Sequence, residues 1–149
     1  NYNSAPFYKE YISRLLPFYE ENSQVFLGEL NEEMLKVFLS ILKIKTPTVC
    51  SSQLGAGGKG NEKLINICKV LGADGYITGE KALEEYLDLH SFKENGIKVW
   101  VQRWQCPVYP QRFPQIGFIP DLAIVDLLFN CGEKSAEILK KGGRLERVI

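Results

Sequence analysis

The residues best suited to chemistry are a carboxylate and an amide inside an apolar segment. Asp126 interrupts a run from Leu122 to Gly132 that is otherwise almost entirely apolar, and a buried charge needs partners or an opening to solvent. Asn130 follows one helical turn later, so both side chains share one helix face. Asp126 could act as a base or orienting carboxylate, and Asn130 could hold a polar group of a substrate. Alternatively, the pair only ties the helix to a loop by hydrogen bonds.

A second candidate is a glycine-rich turn that leads into a helix. Ser51 and Ser52 precede glycines between residues 55 and 60, with Lys59 among them and Asn61 directly after. Glycines allow close backbone approach to a phosphate, and a helix N-terminus supplies free N–H groups. The spacing fits neither a P-loop nor a dinucleotide fingerprint. We therefore predict a phosphate or nucleotide contact, with a surface loop capped by Asn61 as the alternative.

A third candidate is the carboxyl end of a short predicted strand, where Thr78 and Gly79 stand. Open α/β sheets bind ligands at that edge, so we predict that these residues extend the phosphate site. If this turn lies beside the glycine-rich one, the two form one rim. The alternative is a plain strand-to-helix turn with Thr78 as the helix cap.

Aromatic and polar residues near a proline-rich loop form the fourth candidate. Trp104, Tyr109 and Gln111 could stack on a sugar and bond its edges, with Arg112 and Phe113 beside them. We predict sugar binding here. The alternative is a hydrophobic cover over an open sheet face.

The composition, 45% hydrophobic and 24% charged over 149 residues, is typical of an ordinary soluble globular protein. Eighteen basic residues balance eighteen acidic ones, so charge gives no argument for nucleic acid as a partner. No apolar run reaches the roughly 20 residues of a membrane helix, and we expect no membrane insertion. The four cysteines and single histidine match no zinc spacing. We predict that the cysteines are small buried hydrophobes in a reducing compartment, and we predict no metal site. Neither a cofactor nor an oligomeric state is indicated.

The hydrophobic periodicity predicts an α/β fold with a short, mainly parallel sheet of about three strands, flanked by helices. We expect a single domain or domain fragment over residues 1–149, with a helical pair in 1–45 and an α/β unit in 46–149. The predicted strands are Pro47–Cys50, Gly75–Thr78 and Ile97–Arg103. Ser4 is predicted to cap the first helix.

An ordered series of motifs resembles the WbqC-like proteins across essentially the whole chain. The motifs are Asn1-Tyr2, Ala5-Pro6-Phe7-Tyr8, Ser51-Ser52-Gln53-Leu54, Leu64-Ile65-Asn66-Ile67-Cys68-Lys69, Leu71-Gly72-Ala73-Asp74-Gly75-Tyr76-Ile77-Thr78-Gly79, Tyr86-Leu87, Phe92-Lys93-Glu94-Asn95-Gly96-Ile97-Lys98-Val99, Pro107-Val108-Tyr109-Pro110-Gln111 and Asp126-Leu127-Leu128-Phe129-Asn130-Cys131-Gly132. Family members usually begin with a further block, so this chain resembles the C-terminal two-thirds of such a protein. Thr78 stands where members often have Ser, and Gln53 where they often have Glu.

The resemblance implies a cytoplasmic protein of surface-polysaccharide (O-antigen) biosynthesis. It also implies a nucleotide-linked amino sugar as the partner, modified by acyl or aminoacyl transfer. Two other functions remain open: ATP-dependent nucleotidyl transfer, and sugar-nucleotide binding or scaffolding without catalysis. Product formation would separate transfer from binding, and pyrophosphate release would reveal nucleotidyl transfer. The resemblance supplies no catalytic set, so the site residues rest on the sequence patterns alone.

Overall fold

The computed structural model describes residues 2–20 and 26–149, and the chain divides into two compact units. The first unit contains Asn1–Thr46 and Cys106–Gly142, and the second contains Pro47–Gln105 and Gly143–Ile149. Each unit is therefore assembled from two separate segments of the chain.

The described residues form seven α-helices and three strands. The helices are α1 (Tyr8–Leu15), α2 (Leu27–Ile41), α3 (Gly60–Val70), α4 (Glu80–Glu85), α5 (Leu89–Glu94), α6 (Ile124–Cys131) and α7 (Ser135–Gly142), and the strands are β1 (Gly75–Gly79), β2 (Lys98–Trp104) and β3 (Gly143–Arg147). No helix within these residues combines the length and the apolar character needed to cross a bilayer.

In the first unit, α6 is the buried central helix. Leu128 and Phe129 of α6 form one core with Tyr11 and Leu15 of α1, and the apolar face of α2 packs against the same core. Helices α1 and α2 therefore both contribute to one core with α6. Burying these large side chains together is the main source of stability here.

The start of α1 differs from the prediction that Ser4 caps it. Phe7 occupies the N-cap position, and no side chain caps the helix. The Phe7 N–H instead donates to the Phe129 carbonyl of α6 at 3.0 Å, while the Ser4 hydroxyl accepts from Arg112. The Phe7 N–H has its hydrogen-bond acceptor on α6, and the helix begins without a cap from Ser4.

Gly132 ends α6 in a conformation that other residues rarely adopt, with φ near +57°. A Cβ placed on it would lie 2.5 Å from the Phe7 ring. Both the backbone angle and the close ring therefore require glycine at this position.

In the second unit, the sheet has the order β1-β2-β3. Strands β1 and β2 pair in parallel, with Thr78 opposite Val101, and β2 pairs with β3 in antiparallel fashion. Phe92 of α5 and Val99 of β2 are fully buried at the centre of a core shared with α3. The α/β fold class is confirmed, with a mixed sheet of three strands.

One predicted strand is wrong and one was missed. Residues 47–50 lie outside any strand, and Val49 is half exposed, so its β-propensity has no sheet face to pack on. The third strand is Gly143–Arg147, whose side chains are mostly exposed. Its charged sequence lacks apolar alternation, which suits the edge of a sheet.

Candidate functional site

The centre of the candidate site is the carboxylate of Asp126, which is only 4% exposed in α6. The Tyr109 hydroxyl donates to its Oδ2 at 2.9 Å, and the Tyr2 hydroxyl donates to its Oδ1 at 2.9 Å. Tyr2 comes from the chain before α1, and Tyr109 from the loop before α6. Segments distant in sequence therefore meet at one buried charge, which hydrogen bonding compensates.

Asn130 completes the cluster from the next turn of α6. Its Nδ2 donates to the backbone carbonyl of Asp126 at 2.8 Å and to the Asp126 Oδ1 at 3.2 Å. The predicted pairing on one helix face is present. These bonds fix the orientation of the carboxylate, and they are compatible with both the catalytic and the structural hypothesis.

The hydroxyls of Tyr2 and Tyr109 keep their protons at neutral pH. Burial, together with the Asp126 hydrogen bond, raises the pKa of Tyr109 to about 12. Burial and the same carboxylate raise the pKa of Tyr2 to about 12. At neutral pH both hydroxyls therefore stay protonated and stabilise a carboxylate between them.

Asp126 and Tyr2 form a polar wall of a cleft of about 210 Å³. The opposite walls come from the loop after Tyr109, including Arg112 and Phe113. The Arg112 guanidinium lies 5.4 Å from the centre of the Phe113 ring and donates to the Ser4 hydroxyl at 2.8 Å. A buried anion thus shares a small cleft with a partly exposed cation and an aromatic ring, a combination that suits a polar ligand with an apolar face.

Gln111 fixes the loop that forms this cleft. Its Nε2 donates to the Ile119 carbonyl at 2.7 Å, and its Oε1 accepts from the Ile119 N–H at 2.8 Å. The side-chain amide of Gln111 therefore forms a pair of hydrogen bonds with the backbone of Ile119, as a neighbouring β-strand would. Gln111 lines the cleft, as a sugar-binding residue should, but both ends of its amide already have backbone partners.

The other two predicted sugar-binding residues have different surroundings. Tyr109 is buried, and its ring meets Phe118 edge to face with centroids 5.4 Å apart. Trp104 belongs to the second unit, where it ends β2 opposite Gly143 and is 46% exposed. Of the three, Gln111 lines the cleft and Tyr109 supports Asp126 from behind.

In the second unit, Asn61 holds backbone in place and does not cap α3. Lys59 occupies the N-cap position without a side-chain cap bond. The Asn61 Nδ2 donates to the Tyr86 carbonyl at 2.9 Å, and its Oδ1 accepts from the Asp88 N–H at 3.1 Å. The predicted cap at Asn61 is wrong because two backbone groups after α4 bind its amide instead. Lys59 remains exposed beside the helix N-terminus.

The remaining predicted phosphate-site residues lie in two separate turns. Ser51 and Ser52 are exposed in a short 3-10 helix. Thr78 is buried, and its hydroxyl is 3.4 Å from the Gly79 carbonyl. Gly79, not Thr78, is the N-cap of α4, so the capping alternative is wrong. Within residues 2–20 and 26–149, no hydrogen bond joins either serine to Thr78.

Sequence reasoning missed Tyr2 as a partner of Asp126, because the two residues are 124 positions apart. The only available signal was general: a buried carboxylate must find donors, and tyrosines flank the apolar segments. Cys68 and Cys131 are buried, as predicted, whereas Cys50 and Cys106 are partly exposed. In the part of the chain that the structure describes, no cluster of His, Cys, Asp or Glu is placed to hold a metal ion.

A family model of WbqC-like proteins matches residues 1–138. The chain belongs to the WbqC-like protein family. It is also 32% identical over 141 residues to the uncharacterised protein Rv1507c of Mycobacterium tuberculosis. That match covers 94% of this chain and 60% of the relative, so the chain spans three-fifths of the relative's length. No solved structure matches this chain. The resemblance seen in the sequence motifs is confirmed at the level of the family.

Proposed function

We propose that this WbqC-like protein acts in surface-polysaccharide (O-antigen) biosynthesis in the cytoplasm. Its reaction would be acyl or aminoacyl transfer to the amine of a nucleotide-linked amino sugar. Family membership supports the pathway. The single observation that carries the site is a buried carboxylate, Asp126, that forms the wall of a cleft beside the Arg112 cation.

In this proposal, the sugar enters the cleft with its amine facing Asp126. The amine nitrogen forms a bond to the acyl carbonyl carbon, and the bond from that carbon to the leaving group breaks with its electron pair. The ammonium proton passes to Asp126 and then to the leaving group. Tyr2 and Tyr109 orient the carboxylate without losing their own protons, because their pKa values are about 12.

Arg112 and Phe113 would position the sugar in the same cleft. The guanidinium can donate to sugar or phosphate oxygens, and the ring can cover the apolar face of the sugar. Arg112 carries this role best among the described residues of the loop, because it forms no ion pair with a carboxylate of residues 2–20 or 26–149.

The phosphate-binding prediction for Ser51, Ser52, Lys59, Asn61 and Thr78-Gly79 remains part of the proposal as a separate hypothesis. Exposed Lys59 beside the N-terminus of α3 supports it. Titration of a nucleoside diphosphate against wild type and Lys59→Ala tests it. Equal affinities for the two proteins would remove Lys59 from the site.

A second candidate function, sugar-nucleotide binding without catalysis, is favoured by one observation. Both Asp126 oxygens already accept hydrogen bonds from the protein's own tyrosines and amide. A carboxylate held in this way can serve only to fix the shape of the cleft.

The test is calorimetric titration of this chain with a nucleotide-linked amino sugar. The corresponding nucleotide-linked neutral hexose serves as the ligand control, followed by product analysis with activated acyl donors. If the protein catalyses transfer, we expect product from wild type. We expect a folded Asp126→Asn variant to bind the nucleotide sugar without forming product. Binding without product in wild type would favour the non-catalytic candidate. If no nucleotide sugar binds, both candidates fail.

A further inference from the structure

A second cavity in the first unit has a volume of about 460 Å³ and shares Asn130 with the Asp126 cluster. Its apolar walls are Phe7, Pro110 and Ile138, and its polar groups include Asn130 and Lys134. The volume lies in the range of small-molecule sites, which combine apolar walls with a few placed polar groups. The polar groups indicate which kind of ligand the cavity would bind.

Asn130 lines this cavity. The residue is only 8% exposed, and its Nδ2 is committed to the carbonyl and Oδ1 of Asp126. Within the described residues, its own Oδ1 accepts no hydrogen bond. Every fully enclosed side-chain oxygen or nitrogen in that part of the chain has a partner, so Asn130 Oδ1 must be accessible. A nearly buried acceptor of this kind is satisfied by a donor that enters the cavity.

The charge at the cavity rim favours an anion. Glu133 is neutralised by Lys43, with Oε1 and Nζ 2.8 Å apart, and this ammonium holds the pKa of Glu133 below its usual value. Lys134 forms no ion pair with any carboxylate of residues 2–20 or 26–149. The rim therefore has one uncompensated cation next to an apolar interior.

We propose that this cavity is a binding site for an apolar α-amino acid. Such a ligand carries the three groups that the walls complement: a carboxylate for Lys134, an ammonium N–H for Asn130 Oδ1, and an apolar side chain for Phe7, Pro110 and Ile138. A simple fatty acid lacks the donor, and a simple amine lacks the anion. This inference concerns a different cavity from that of the proposed transfer, and it does not depend on that function.

The test is ligand-observed NMR or calorimetry of this chain with leucine, isoleucine, valine, methionine and phenylalanine, without any nucleotide sugar. At about 10 mM ligand, a site with a Kd near 1 mM is about nine-tenths occupied. We expect saturable binding of at least one amino acid. Absence of binding by all five would overturn the proposal, whatever the outcome with nucleotide sugars.

Analogues and variants locate the site. For leucine, we expect 3-methylbutylamine, which lacks the carboxylate, and 4-methylpentanoate, which lacks the amine, each to bind at least about threefold more weakly. Lys134→Gln should weaken leucine binding about threefold, since exposed charge pairs are screened. Lys140→Gln, an exposed lysine of α7 outside the cavity lining, should leave it unchanged. Equal effects of the two substitutions, or equal affinities for leucine and 3-methylbutylamine, would contradict the assignment.

Discussion

The two units differ in the burial and the hydrogen-bond partners of their candidate polar residues. In the first unit, Asp126 is buried and is held by side chains from before α1 and from the loop before α6. In the second unit, Lys59 is exposed, and Asn61 uses its amide to hold backbone after α4. The first arrangement surrounds a buried carboxylate with side-chain donors, whereas the second binds backbone groups near the surface.

The difference teaches where function and stability are coupled. A buried carboxylate with several donors cannot be changed without disturbing the fold, because its partners lose their acceptor. An exposed lysine can be removed with little effect on folding. Substitution of Asp126 should therefore reduce stability strongly, and substitution of exposed Lys59 should leave stability nearly unchanged.

The largest effect is expected from Asp126→Ala. It leaves the buried Tyr109 hydroxyl without its acceptor and removes the Tyr2 bond, so we expect a loss of about 3 to 4 kcal/mol in the free energy of unfolding. Urea denaturation followed by circular dichroism measures it. Glu137→Ala, an exposed carboxylate of α7, is the matched control and should change stability by less than about 0.5 kcal/mol. Similar values for both variants would show that the burial of Asp126 does not set its effect on stability.

Gly132→Ala should have the next largest effect, a loss of about 3 kcal/mol in the free energy of unfolding. The substitution places a side chain on a backbone with positive φ and overpacks it against Phe7. A Cβ at Gly132 would approach the Phe7 ring to 2.5 Å. Gly79→Ala in the second unit is the matched control, since φ is −83° and no atom lies within 4 Å of its Cβ. Thermal denaturation of both variants gives the comparison, and a smaller loss for Gly132→Ala than for Gly79→Ala would refute it.

Alkaline pH should weaken the first unit through Tyr2 and Tyr109. Their folded pKa values of about 12 exceed the ordinary value of about 10. Their stabilisation is therefore complete below pH 10 and is lost as the pH rises towards 12, by at most about 1.4 kcal/mol per pH unit for each proton. Urea midpoints between pH 8 and 11 should fall less steeply in a Tyr2→Phe, Tyr109→Phe double variant. Parallel profiles for the variant and wild type would show that these tyrosines do not titrate with unfolding.

The smallest effects belong to the second unit. Asn61→Ala removes two hydrogen bonds between the side chain and backbone groups. It should lower the free energy of unfolding by about 1 kcal/mol. Lys59→Ala, its neighbouring exposed control, should stay within about 0.5 kcal/mol of wild type. Chemical denaturation tests both, and a loss of stability in Lys59→Ala as large as that in Asp126→Ala would contradict the contrast between an exposed and a buried polar residue.

Local patterns predicted much of this fold. Strands β1 and β2 follow from short β-prone runs, and the parallel pairing follows from the helices between them. The run Pro47–Cys50 is also β-prone but lies outside any strand, since strand formation depends on packing that a short window does not contain. The charged segment Gly143–Arg147 pairs instead, through backbone groups that carry no sequence signal.

In the candidate site, too, local sequence predicted some features and tertiary packing decided others. The spacing of Asp126 and Asn130 predicts their shared face, because helical periodicity is a local property. The contribution of Tyr2 could not be predicted, since it depends on how α1 packs against α6. The cap predicted at Asn61 failed for a related reason: contacts with Tyr86 and Asp88, far along the chain, outweigh a local bond.

The antiparallel partner of β2 has a consequence for the order of folding during synthesis. Strand β3 is translated only after the whole of Cys106–Gly142, which belongs to the first unit. Until Gly143–Arg147 emerges from the ribosome, one edge of β2 is unpaired, and open strand edges invite association with other chains. The nascent chain is therefore most prone to aggregation between the synthesis of Trp104 and that of Arg147, a window in which a chaperone would have the greatest effect on yield.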